Sequence, residues 1–225
     1  MVRPVDIEVF GRKMRLNGAR NIAERRLLIQ PQHFDPLERN LLAAHLRPGG
    51  VAVDIGANIG AYTLYLAGLV GPSGRVLAVE PQPAVLARLE ENLALNPELT
   101  VTVAPVALGD RTGEAAFEIG GSNEGEGKLA QPGAQGGIRV KLDTLHNLMN
   151  QNGFSRIDAL KIDVEGWEPE VLLPFFESAP KTLWPALMVV ERGNDRWKVD
   201  LIGKLASLGY SERGGTRLNV VLGLN

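Results

Sequence analysis

Three short stretches hold residues whose types and spacing could do chemistry. Asp54-Ile-Gly56-Ala-Asn58-Ile-Gly60 follows the apolar run VAVDI and precedes AYTLYLAGLV. Glycines at these positions allow a sharp strand-to-helix turn whose backbone comes close to a ligand. Glu80 closes the next apolar run, RVLAVE, 20 residues after Gly60. That is the spacing at which a carboxylate receives ribose hydroxyls. The third stretch, Lys161-Ile-Asp163-Val-Glu165-Gly166, continues the run IDALKI, and side-chain alternation places Lys161 and Asp163 on one face. Glu191 ends ALMVVE and Asp195 follows closely. Four carboxylates are thus expected along one rim, where like charge raises a pKa or attracts a cation. Asp163 or Glu165 could then be a general base or part of a divalent-metal site. Capping the helix after Gly166 is the plainer role for both.

Two ligands compete for the glycine turn. A dinucleotide wants G-x-G-x-x-G and a helix N-terminus on its pyrophosphate. Here Asn58 replaces the middle glycine, and Asp54 stands before the first. A carboxylate there repels a pyrophosphate and welcomes a cation. S-adenosylmethionine carries an ammonium and a sulfonium and no phosphate, so the turn favours it over NAD.

These residues need a scaffold that brings strand ends together. VAVDI, RVLAVE and TVTVAPVAL read as strands, with AYTLYLAGLV and AVLARLEENLAL as helices between them. Nearly continuous apolar strands alternating with helices predict an α/β, doubly wound, mostly parallel sheet with helices on both faces. VDIEVF and KMRL alternate around Gly11 like a small hairpin, and DPLERNLLAAHL starts a helix with Asp35 as N-cap and Pro36 behind it. AAFEI and IRVKL look paired across GGSNEGEGKLAQPGAQGG, a loop too glycine-rich and polar to pack a core and expected to stay mobile until an acceptor binds. Later elements are a helix from Asp143, the strands IDALKI and ALMVVE, helices after Gly166 and from Trp197, and a last strand at LNVVLGL. No linker splits the chain. Residues 1–34 are assigned to a lid-like N-terminal extension and 35–225 to the ligand-binding domain.

Bulk properties narrow the function. A chain of 225 residues suits one substantial α/β domain with appendages. Its net charge of −2 gives no electrostatic case for nucleic acid or an acidic membrane. Residues 1–30 hold seven Lys or Arg against three acids, a bias best read as a solvated face. The lack of cysteine excludes disulfides, thiolate metal sites and a cysteine nucleophile. MVRPVDIEVFGRKMRL has no apolar core of a signal peptide, and no apolar run approaches the roughly 20 residues of a membrane helix. A cytoplasmic protein without a membrane partner is expected. Of the histidines, His45 reads as partly buried, His146 as surface, and His33 could lean over the ligand. Ser155 and Ser178 lack the G-x-S-x-G context of a serine hydrolase.

VDIGANIGAYT, VEPQP, VALGD, LDTL and LKIDVEGWEPEVL, in that order over roughly residues 30–195, resemble the FkbM-type S-adenosylmethionine-dependent methyltransferases. The KIDVEG element is the most specific of them. The resemblance implies a class I methyltransferase fold of Rossmann-like type with a seven-stranded sheet, behind a small hairpin and helical extension. It implies that Asp54, Gly56, Asn58, Gly60 and Tyr62 surround the methionine part of the donor. Glu80 and Pro81 would hold the ribose, with Val106, Ala107 and Asp110 near the adenine. Asp163 would touch both donor and acceptor, and Asp163 and Glu165 would face the transferred methyl. The implied reaction is O-methylation of a hydroxyl on a sugar, glycan or natural product. The alternatives are an RNA methyltransferase, an NAD-binding oxidoreductase and a non-catalytic cofactor-binding protein. Metal dependence and a homo-oligomeric state are left open.

Overall fold

Polarity alternates along residues 5–16, and a computed structural model, which describes residues 3–121, 123, 125–130 and 137–225, folds them into the hairpin β1 (Val5–Val9) and β2 (Arg12–Leu16). Helix α1 (Ile22–Ile29) follows, capped by Asn21, whose side chain accepts from the Glu24 N–H. Sequence patterning missed this helix because only Glu24 and Leu27 of it are buried, too few for a periodic stripe. Helix α2 (Pro36–His45) starts at Pro36 as expected. Asp35 does not cap it: its backbone is left-handed (φ 45°) and its side chain makes no cap bond.

From there β3 (Val51–Ile55), α3 (Ala61–Val70), β4 (Arg75–Val79), α4 (Pro83–Ala94) and β5 (Val101–Ala104) build the first parallel half. The third strand is shorter than its apolar run suggests. At Pro105, which has no N–H to donate, the chain leaves the sheet, and β6 (Ala107–Leu108) joins a second one. That second sheet contains β7 (Gly113–Glu118), β8 (Lys128–Leu129) and β9 (Ile138–Asp143) in the order β6-β9-β7-β8. The expected mobile loop falls partly on residues 122, 124 and 131–136, outside the described residues. Its described part does pack: β8 pairs with β7, and Asn123 and Leu129 are buried.

The chain ends with α5 (Leu145–Gln151), β10 (Ala159–Ile162), α6 (Glu168–Ser178), β11 (Leu187–Glu191), α7 (Leu201–Ser207), β12 (Tyr210–Gly215) and β13 (Asn219–Leu224). The main sheet has seven strands in the order β12-β13-β11-β10-β3-β4-β5. It is mixed: β5, β4, β3, β10 and β11 run parallel, but β13 is antiparallel to both β11 and β12. The rhythm of the sequence hid this because β12 and β13 form a hairpin, which can only return the chain antiparallel.

Strand alternation sorts the core into two layers. Val53, Ile55, Leu160 and Ile162 face α5, α6 and α7 on one side. Ala52 and Ala159 face α2, α3 and the N-terminal hairpin on the other, where Met14, Leu16, Leu27 and Phe34 are buried. Residues 9–34 therefore contribute apolar side chains to the same core as the sheet. Among the described residues no helix is long and apolar enough to cross a membrane.

Candidate functional site

Parallel strands end together, and a cavity of about 210 Å³ opens beyond the carboxyl ends of β3, β4 and β10. Gly56, Asn58, Tyr62, Glu80, Pro81, Val106, Ala107, Asp163 and Glu165 all line it. Asn21, Arg26, Phe34 and Asp35 cover it from the N-terminal segment. Among the described residues, three expected ligand contacts do not line it. Gly60 packs instead beneath Leu89 of α4. Asp110 lies on the surface and pairs with Arg111 at 3.0 Å. Asp54 is fully buried.

Asp54 corrects the charge argument drawn from the sequence. Register places Lys161 of β10 directly beside Asp54 of β3, and the two sit 3.6 Å apart. Thr63 donates to Asp54 at 2.6 Å. The cation that Asp54 meets is therefore the Lys161 ammonium. Burial raises the Asp54 pKa, opposed by Lys161 and the Thr63 hydroxyl. Burial alone would lower the Lys161 pKa, but Asp163 and Asp54 outweigh it and the net shift is upward. Lys161 also reaches Asp163 at 3.8 Å and donates to the Gly56 carbonyl at 2.9 Å. A protonated lysine thus ties the glycine turn to the KIDVEG turn.

The glycine turn is shaped by conformation as well as charge. Gly56 is left-handed (φ 73°), and a Cβ there would collide with the Asp163 carbonyl oxygen. Gly56→Ala is expected to destabilise the fold by about 1–3 kcal/mol, lowering the melting temperature by several degrees for a chain of this size. Differential scanning fluorimetry checks this, and an unchanged melting temperature would refute the packing argument. Asn58 is also left-handed (φ 51°), a conformation asparagine tolerates better than most residues. Its Oδ1 accepts from the Asn21 side chain at 2.7 Å and from the Ile59 N–H at 2.8 Å. The middle glycine of a dinucleotide fingerprint is thus replaced by a residue that binds the turn to α1.

Glu80 is buried at the end of β4. Its two oxygens accept from the Asn58 and Gln82 N–H groups, both at 2.9 Å. Burial nevertheless pushes its pKa up to about 7, only partly offset by those two bonds. Across the cavity the acid rim is confirmed for three of the four expected carboxylates. Asp163, Glu165 and Glu191 each present an oxygen within 4.8 Å of the others, whereas exposed Asp195 is not among them. Arg196, not singled out from the sequence, donates to Glu165 and Glu191 at 2.6 Å each. It already supplies a cation where a divalent ion was considered. Burial, then the nearby Asp163 charge, raises the pKa of both Glu165 and Glu191 against the pull of Arg196.

His33 is exposed and does not line the cavity. His45, expected to be partly buried, is exposed and bonds the Asp158 carbonyl through Nε2 at 3.1 Å. His146 is half-buried rather than on the surface. Glu168 and Lys161 are functional candidates that sequence reasoning left without roles; the signal available for Lys161 was a base inside the apolar run ALKI, and Glu168 offered none.

The profile of the methyltransferase FkbM domain matches residues 54–211. The chain is 32% identical to methyltransferase sdnD of Sordaria araneosa over 57% of this chain and 61% of that protein. It is 27% identical to the 2-O-methyltransferase NoeI of Sinorhizobium fredii over 65% of each. It also matches 8% of the AMB antimetabolite synthetase AmbE of Pseudomonas aeruginosa at 30% identity, over 60% of this chain. The matches thus span less than two thirds of these relatives. In fold it resembles an rRNA methylase from Streptococcus thermophilus (TM-score 0.50, 13% identity, 84% of this chain and 95% of that one). It likewise resembles a Streptococcus mutans protein solved in complex with SAH (TM-score 0.51, 12% identity, 83% and 94%).

Proposed function

The chain belongs to the methyltransferase FkbM family, and on that premise we propose that it methylates a hydroxyl oxygen of a small, uncharged acceptor such as a sugar or natural product. The observation that carries this reading is the pair of carboxylates Asp163 and Glu165, with Glu191 beside them, at one end of a cavity whose other end holds Glu80. The donor set fits S-adenosylmethionine. Glu80 retains lone pairs for a ribose diol, and the acids Asp163 and Glu165 suit a positively charged sulfur centre. The bound donor supplies an electrophilic methyl carbon. The chain's own part is to hold the acceptor oxygen beside Asp163 and to take its proton on that carboxylate. Lys161, 3.8 Å from Asp163, keeps the carboxylate in place and balances its charge. NoeI, named as a 2-O-methyltransferase, is consistent with oxygen as the acceptor atom.

An RNA acceptor is the second reading, prompted by the basic N-terminal segment. Three of those bases are taken up by ion pairs, Arg12 with Glu98, Arg15 with Asp6 and Arg26 with Asp35. Phosphates would also meet an acidic rim. Methyl-labelled donor with a panel of neutral glycosides, sugar phosphates and RNA separates the readings. Label is expected in neutral hydroxyl compounds only, and transfer confined to RNA or phosphorylated acceptors would overturn the proposal. SAH at about 100 times its Kd should stabilise the chain by about 2.7 kcal/mol, and NAD should not.

A further inference from the structure

Glu168 opens α6, yet it does not behave as a helix cap. It is fully buried, and both of its oxygens turn away from the helix. Oε1 accepts from the Val164 N–H at 2.9 Å and the Gly166 N–H at 3.3 Å. Oε2 accepts from the Trp197 indole N–H at 2.7 Å. Burying a carboxylate is costly unless donors surround it, so three donors converging on one buried acid mark a geometry that the fold holds firmly.

The turn it closes carries the acid rim. Asp163 and Glu165 flank Val164, and Glu165 stands in the left-handed region (φ 57°), a strained conformation for a residue with a Cβ. Gly166 is also left-handed (φ 95°), and a Cβ on it would press on the Arg196 side chain at 2.8 Å. Trp197 is the neighbour of Arg196, which bridges Glu165 and Glu191. One carboxylate therefore anchors both the turn bearing the acids and the segment bearing their counter-cation.

We propose that Glu168 is a positioning residue: by holding the Val164–Gly166 turn and Trp197 together, it sets Asp163, Glu165 and Arg196 in the arrangement that reads the positive charge of the methyl donor. The proposal rests on the methyltransferase reading above. It makes a demand that a purely structural role does not. S-adenosylmethionine and SAH differ by one methyl group and the sulfonium charge, so general loosening of the cavity weakens both alike. Displacing acids that face the sulfonium weakens S-adenosylmethionine more than SAH, which keeps the ammonium but lacks that charge, because a charge pair loses attraction as it separates.

The test is calorimetric titration of the full chain with each compound. Glu168→Gln keeps the length but turns an amide donor toward either the turn N–H groups or the Trp197 indole. The Kd for S-adenosylmethionine is expected to rise about five- to tenfold. The Kd for SAH should stay within about twofold, and amide exchange at Val164 and Gly166 should quicken. Trp197→Phe removes one of the three bonds and should shift the ratio in the same direction by less. It keeps the test decisive should Glu168→Gln fail to fold. Equal weakening of both ligands, or an unchanged ratio in both variants, overturns the proposal. A parent chain that binds neither compound overturns the donor reading itself, a failure visible before any variant is made.

Discussion

Asp163→Asn is expected to slow methyl transfer by roughly 10²–10⁴, the usual worth of a positioned general base, while SAH, which lacks the sulfonium charge, still binds within a few-fold. The asparagine keeps the shape of the side chain at the end of β10 and removes its capacity to take a proton. Lys161 would remain paired with Asp54 at 3.6 Å, so the buried charges stay balanced and folding should survive. Single-turnover rates on the acceptor found by the panel, beside calorimetric Kd values for SAH, measure the two effects separately. A chelator supplies the second arm. Arg196 already bridges Glu165 and Glu191, so chelation is expected to leave turnover unchanged. Loss of activity restored by Mg²⁺ or Ca²⁺ would move the activating role to a divalent ion. Undiminished turnover in Asp163→Asn would remove Asp163 from the mechanism and leave Glu165 as the base, because exposed His33 does not line the cavity.

Much of this arrangement was legible in the sequence because it follows from short-range rules. Strand alternation placed Lys161 and Asp163 on one face, and the spacing from Gly60 to Glu80 identified the carboxylate at the end of the second strand. The failures share a different cause, which is pairing between distant segments. Nothing near Asp54 announces that Lys161 lies beside it, since that depends on the β3–β10 register. Asp54 was therefore read as facing a ligand when it faces a lysine. Arg196 escaped notice for the same reason: it is 31 residues from Glu165. Helix α1 was missed because half of it is exposed and only Glu24 and Leu27 are buried. The strand at LNVVLGL was legible, but its reversed direction was not, because an antiparallel neighbour is as apolar as a parallel one. Its hairpin partner β12 went unnoticed. Local chemistry, in short runs, could be read; the partners that tune it could not.

Glu80 should show its role through pH. Its pKa in the folded chain is pushed up to about 7 from an ordinary 4.5, so the folded state holds a proton that the unfolded chain has released. The associated stability is fully present below about pH 4.5 and is lost as pH rises through about 7. The unliganded chain should accordingly melt at lower temperature as pH climbs through that window, and Glu80→Gln should flatten that part of the curve. Ligand binding should run the opposite way. A ribose diol donates hydrogen bonds, and the ionised carboxylate accepts them best, so SAH should bind more tightly as pH rises toward 7 and level off above it. Glu80→Ala should weaken SAH by about 1–3 kcal/mol, roughly 5- to 150-fold in Kd. Calorimetry from pH 5.5 to 8.5 would show the slope in the parent chain and its absence in Glu80→Gln. If Glu80→Ala binds SAH as tightly as the parent, or if affinity in the parent falls as pH rises toward 7, the buried carboxylate serves only to tie Asn58 and Gln82 to the end of β4, and the ribose must be held elsewhere.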